Sequence, residues 1–151
     1  MTEEGKACRQ MIEEALGRYG LPTSESAIRL LCMIAAHESG GFTYSKQVRG
    51  PALSLFQMEP RTFRDLVTYC QRRFPNLSDE LPCSPMRLIF DPGFAAAMGR
   101  AFLLRIPEPL PDFDNIDALG QYAKTYWNTR YGKATPKNYS DAWRHYFGDS
   151  P

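Results

Sequence analysis

The sequence predicts an all-α fold, six or seven helices around one buried central helix, in a single domain spanning residues 1–151. Three observations predict it. Apolar residues recur at helical spacing along almost the whole chain, Gly and Pro punctuate the pattern, and no alternating stretch reads as a strand. At 151 residues the chain can bury a core without disulfide or metal staples, and 43% apolar with 23% charged residues is an ordinary globular balance.

The first helix covers residues 3 to 19, placing Cys8, Met11, Ile12, Ala15, Leu16 and Tyr19 on one face before Gly20 and Pro22 stop it. Ser24 is a good N-cap for a second helix ending near Ser39. From Ile28 to Ala36 that helix is apolar on all sides apart from Arg29, which marks it as the central one. The Gly40–Gly41 pair ends it, and a long loop, "GGFTYSKQVRGPALSLFQME", follows; loops of that length in compact domains are usually functional. Pro60 opens a third helix with Phe63, Leu66, Val67, Cys70 and Phe74 at helical spacing. "FPNLSDELPCSP" is turn chemistry. Asp91–Pro92 starts a helix carrying Phe94, Ala95, Met98, Ala101 and Phe102, which "IPEPLP" breaks. Asn115 and Thr135–Pro136 begin the last two, with Ile116, Leu119, Tyr122, Ala123 and Tyr126 on one and Tyr139, Ala142, Trp143 and Phe147 on the other.

Composition excludes several classes. Net charge is +1 and no basic stripe is present, so nucleic acid is not an expected partner. No run approaches membrane-spanning length, so stable membrane insertion is not expected. The opening "MTEEGKACRQ" is polar and acidic, unlike a signal peptide, so the expectation is synthesis in the cytoplasm with delivery by another agent. Cys8, Cys32, Cys70 and Cys83 show no CxxC pairing and read as free thiols. With His37 and His145 they form no familiar zinc spacing, and "HESGG" lacks the second His of H-E-x-x-H. No metal or organic cofactor is expected.

The chemistry concentrates where the buried helix ends on a carboxylate, His37-Glu38-Ser39-Gly40-Gly41. A helix C-terminus carries partial negative charge, and burial beneath apolar residues desolvates a carboxylate; both raise the pKa of Glu38. A carboxylic acid still protonated near neutral pH is the group needed to protonate a leaving oxygen. Position alone leaves a second reading open, a solvent-facing Glu38 in a frayed last turn.

"HESGG", the loop after it and "GPALSLFQMEP" resemble the lytic transglycosylases of the lysozyme-like superfamily. That family has a Glu-Ser at the end of a buried helix, a Gly-Leu-Met-Gln-like motif about twenty residues later, and an Ala-Tyr-Asn-like motif within a later helix. Glu38-Ser39, Ser54-Leu55-Phe56-Gln57 and Tyr126-Trp127-Asn128 match in that order, over residues 24 to 132. The resemblance implies a lysozyme-like domain acting on peptidoglycan glycan strands without a cofactor. Glu38 would be the one acid/base, Ser39 would orient it or the substrate, and Gln57 would bond sugar near the scissile bond. Asn128 would support the site from the far wall, with Phe56, Tyr126 and Trp127 as further substrate contacts. A small enzyme of this kind without an export signal fits a phage endolysin released to the periplasm by a holin-type protein. It equally fits a wall-opening component held among other virion proteins.

The chain departs from the pattern at two places. Ser54 stands where the second motif has glycine, a residue often placed for unusual backbone angles. Trp127 stands at the tyrosine of the third motif, and an indole N–H donates but cannot accept as a phenol does. Tyr126, Tyr122 and Tyr131 are the donors expected within reach instead. Phe42, Tyr44, Phe56 and Trp127 could stack on sugar rings or simply fill the core. His37 reads as packed or exposed, not as a participant, and Arg61, Arg64, Arg72 and Arg73 as a solvated face. Glu59 is the best second carboxylate if the reaction is a hydrolysis, although an acid just before Pro60 also suits a helix N-terminus. Two alternatives stand beside transglycosylation: a muramidase-type hydrolase using Glu59, and a glycan-binding or structural virion protein without catalysis.

Overall fold

A computed structural model describes residues 1–43 and 50–148. Tyr44, named above as a candidate stacking residue, lies outside the described residues. Helices dominate: α1 (Glu3–Arg18), α2 (Glu25–Glu38), α3 (Pro60–Arg73), α4 (Pro75–Ser78), α5 (Arg87–Phe90), α6 (Pro92–Leu104), α7 (Ile116–Tyr122) and α8 (Pro136–Tyr146). A π-helical turn, Ala123–Asn128, continues α7. Among the described residues there is no strand, only an antiparallel bridge between Leu53 and Met58.

The fold is all-α, as expected, with two single-turn helices more than the sequence indicates. These are α4 and α5, which form inside the Pro-rich connection because Leu77 and Leu88 turn into the core there. The caps expected at Ser24 and Asp91 form, and Asn115 and Thr135, where the sequence begins the last two helices, act as caps as well, each side chain accepting a hydrogen bond from a first-turn N–H. Thr135 and Asn138 complete a capping box.

The core has two buried helices, which corrects the expectation of one. Nine residues of α2 are buried, and so are nine of α6. The alanines of α6 let it approach neighbours closely: a Cβ added at Gly99 would meet Leu31 of α2 at 3.3 Å. α1 packs on both α2 and α6, and α8 packs on α2 and α7. Arg29, the break in the apolar run, pairs with Glu25 at 2.8 Å and lies over the Trp143 ring at 5.0 Å. Arg9 of α1 grips the same Glu25 with both terminal nitrogens, at 2.9 and 2.6 Å, and so clips α1 to the start of α2. The thiols of Cys8, Cys32, Cys70 and Cys83 are free. No helix among the described residues is long and apolar enough to cross a membrane.

Candidate active site

Glu38 is the last helical residue of α2, and a Schellman turn fixes it there. Gly41 N donates to the Ala36 carbonyl at 2.8 Å and Gly40 N to the His37 carbonyl at 3.1 Å. Gly40 and Gly41 take φ of 63° and 74°, and Phe42 follows at 67°. Ser39 is fully buried, and its hydroxyl accepts from Phe42 N at 2.6 Å. The Ser39 side chain therefore locks the turn behind Glu38 instead of facing a ligand. Phe42 packs edge-on against Tyr146 and Phe147, at 5.1 and 6.3 Å between ring centres, away from the cleft.

The Glu38 carboxyl is half-buried at the floor of an open cleft of about 530 Å³. Burial raises its pKa above the ordinary glutamic acid value, and a hydrogen bond donated by the Tyr139 hydroxyl to Oε1 opposes that rise without cancelling it. His37 supplies no compensating charge. Its own pKa is lowered by burial, and its ring lies edge-on to Tyr139 at 4.7 Å.

The tyrosine that meets Glu38 is thus Tyr139 of α8, and this corrects the expectation of Tyr126, Tyr122 or Tyr131. Tyr122 donates to the Glu108 carbonyl at 2.8 Å, and Tyr131 is 83% exposed beside Arg130. Tyr139 reads as core in the sequence because it shares the apolar face of α8, and the ring is indeed fully buried. The usable signal was its hydroxyl. A buried tyrosine needs a partner, which a phenylalanine would not.

One wall of the cleft is the four-residue hairpin closed by the Leu53–Met58 bridge, whose two N–H···O bonds are both 2.8 Å. Ser54 and Gln57, its corners, take φ of 73° and 54°. Ser54, standing where the second motif has glycine, thus adopts a backbone conformation that glycine takes more readily. Gln57 lines the cleft, and its Nε2 donates to the Ser54 carbonyl at 2.7 Å, which leaves Oε1 and a second N–H for a ligand. The Phe56 ring is fully buried, so of its two readings the structure takes the core one.

The opposite wall is the π-helical turn. Its i→i+5 bonding puts more residues in each turn and so reduces the angle between successive residues, and Tyr126, Trp127 and Asn128 all line the cleft. Trp127 Nε1 donates to the Phe56 carbonyl at 3.0 Å, joining the two walls. Asn128 Oδ1 accepts from Lys124 Nζ of the same turn at 2.8 Å. Glu59, Thr62, Phe102 and Thr129 complete the lining with Ala52, Met58 and Gly132. Phe42, Ser54, Gln57 and Thr129 are the non-glycine residues with positive φ among the described residues, and all stand on segments that form or border the site. Arg61, Arg64, Arg72 and Arg73 are exposed on α3. No cluster of three metal-binding side chains occurs among the described residues.

Fold and site together define an all-helical protein that presents one desolvated carboxylic acid, backed by a phenol, to an open polar cleft. Compared with known families, curated proteins and solved structures, the chain matches none.

Proposed function

We propose that the protein is a peptidoglycan lytic transglycosylase with a lysozyme-like domain, cleaving the β-1,4 bond between N-acetylmuramic acid and N-acetylglucosamine. The observation that carries this reading is Glu38: a carboxyl with a raised pKa, held by Tyr139, at the floor of a cleft open enough for a polymer. In the neutral form Glu38 protonates the glycosidic oxygen. The resulting carboxylate then takes the proton of the muramic 6-hydroxyl, whose oxygen attacks C1 and leaves a 1,6-anhydro end. Glu38 finishes protonated and no water is consumed. The substrate's own acetamido group stabilises the cation, so one protein carboxylate suffices, unlike the two-carboxylate scheme. Gln57 and Asn128 would bond sugar from opposite walls. Such an enzyme would serve a phage in host lysis or wall penetration, reaching the periplasm through a holin-type lesion or among virion proteins.

Glu59 supports a second reading, because it lines the same cleft. A muramidase-type hydrolysis would use it as the second carboxylate. Mass spectrometry of fragments released from purified peptidoglycan separates the cases. Anhydro ends, one water lighter, that vanish with Glu38→Gln support transglycosylation. Reducing ends that vanish with Glu59→Gln as well support hydrolysis, and glycan binding without release supports a binding module.

A further inference from the structure

A second hollow, of about 430 Å³, adjoins the cleft. Phe102, Arg105, Ile106, Pro107, Glu108 and Tyr126 line it, and Phe102 and Tyr126 also line the cleft, so the two hollows meet at those rings. The acid/base chemistry of Glu38 uses none of the residues beyond that junction.

The hollow is preformed. It lies where α6 ends, and Arg105 N and Ile106 N close the helix by donating to the Phe102 and Leu103 carbonyls at 3.2 and 3.1 Å. Pro107 and Pro109 fix φ on either side of Glu108. The Tyr122 hydroxyl donates to the Glu108 carbonyl at 2.8 Å and ties the outgoing chain to α7. A ligand entering here has little backbone to order.

The lining selects by charge as well as by shape. Phe102, Ile106, Pro107 and Tyr126 supply apolar surface, while Arg105 and Glu108, both exposed, add one charge of each sign. Neither enters an ion pair, with the other or elsewhere, among the described residues. The Arg105 guanidinium lies over the Phe102 and Tyr69 rings, at 5.7 and 6.0 Å from their centres, a placement that steadies it and leaves its edge free to donate. A carboxylate suits that fork, an ammonium suits Glu108, and small aliphatic groups suit the rest of the lining. An N-acetylated sugar carries neither charge, so a longer glycan alone would leave both unused.

We infer that this hollow is a subsite for a short zwitterionic peptide, Arg105 taking its carboxylate and Glu108 its ammonium. Naming that peptide as the stem borne by the muramic sugar, with its alanyl methyl, carboxylates and diamino acid, rests on the transglycosylase reading; the charge recognition does not.

The probe is the tripeptide L-alanyl-γ-D-glutamyl-L-lysine, N-acetylated at its alanine so that the lysine ammonium is its one cation. Binding to the full chain is read from the carbon-13 methyl shift of Ile106, identified by its loss in Ile106→Val. Arg105→Met and Glu108→Gln alter exposed side chains, and Arg64→Met, which removes an exposed charge from α3, is the control. The expected result is a saturable Ile106 shift whose midpoint rises by about tenfold in Arg105→Met, as loss of one charge-assisted contact gives. Amidating the peptide's carboxylates should weaken binding to the parent protein similarly. Glu108→Gln should weaken the parent peptide but not the peptide acetylated at its lysine side chain. An Ile106 resonance that peptide does not move overturns the inference, as do losses no larger than those in Arg64→Met. A Glu108→Gln loss equal for both peptides overturns it too. Activity is read separately: Arg105→Met should raise KM on stem-bearing strands with kcat nearly unchanged, and leave strands stripped of stems unaffected. Equal effects on both kinds of strand would assign the hollow to sugar and overturn the inference. If Glu38→Gln leaves peptidoglycan cleavage intact while the peptide still titrates Ile106, the transglycosylase reading fails and the peptide subsite stands.

Discussion

Tyr139 donates its hydroxyl to Glu38 Oε1 across the contact between α8 and α2, although 101 residues separate the two in sequence. The bond gives a desolvated carboxyl one fixed partner and leaves its other oxygen for chemistry. It also makes α8, the last helix among the described residues, part of the site.

Tyr139→Phe should keep the ring packing against His37 and remove only the donor. Loss of a hydrogen bond that favours the carboxylate moves the Glu38 pKa further upward. If activity requires protonated Glu38, the alkaline limb of the pH–rate profile should shift to higher pH. The maximal rate should fall by about tenfold as orientation is lost. Steady-state rates on purified peptidoglycan between pH 5 and 9, a range of about the usual assay span, check this.

Glu38 and Glu25 should affect stability with opposite signs as pH changes. The raised pKa of Glu38 means that folding disfavours its charged form. Its contribution is most favourable below the unfolded-state value and is lost as pH rises through the folded one. Glu38→Gln should therefore stabilise the protein at pH 7, with the gain fading toward pH 4. Glu25 is held below its ordinary pKa by hydrogen bonding to Arg9 first and to Arg29 next, with burial opposing. Its contribution is present above the unfolded value and is lost as pH falls through the folded one. Glu25→Gln should thus destabilise at pH 7, and the difference should shrink in acid. Thermal unfolding of the three proteins across this range tests both signs.

Gly120 of α7 lies against α8, and a Cβ there would sit 2.7 Å from the Pro136 carbonyl oxygen and 3.3 Å from Ser140 N. Both are backbone atoms beside Tyr139, so Gly120→Ala must push α8 outward. The expected cost is about 1–3 kcal/mol, with a loss of activity through the displaced tyrosine. Gly17 in α1 is the control, because nothing lies within 4 Å of its added Cβ. Gly17→Ala should stabilise by about 0.5–1 kcal/mol and leave activity unchanged. Chemical denaturation with parallel activity assays distinguishes the two.

How much of this was legible in the sequence depended on the range of the interaction. Ser24 and Asp91 were readable as caps, and Asn115 and Thr135 as helix starts, because a cap is decided within three residues of itself. The placement of Glu38 was readable for the same local reason, since the apolar run and the glycine pair adjoin it. Tyr139 was not, because helical periodicity assigns a face but not the neighbour across it. Phe56 shows the converse: it falls inside a site motif, yet its ring is buried and only its carbonyl serves the cleft, by accepting from Trp127. The π-helical turn was hidden because its spacing differs from an α-helical one only over six residues. That turn is what brings Tyr126 to the cleft beside Trp127 and Asn128.

Ser54 offers the sharpest separation of backbone from side-chain effects. Its φ of 73° is costly for any residue with a Cβ, by about 1–2 kcal/mol. Its hydroxyl offsets part of that cost by accepting from Phe56 N at 3.1 Å in a buried setting. Ser54→Gly relieves the backbone and loses the bond, and the two effects should leave stability within about 1 kcal/mol of the parent. Ser54→Ala keeps the strain and leaves the Phe56 N–H unpaired, so it should cost about 1–3 kcal/mol. Because the same hairpin presents Gln57 to the cleft, Ser54→Ala should also weaken the binding of soluble glycan fragments, while Ser54→Gly should not. Denaturation midpoints and calorimetric titration with chitooligosaccharides measure the two effects independently. If glycine proved as damaging as alanine, the hydroxyl alone would shape the hairpin and the backbone strain would carry no weight.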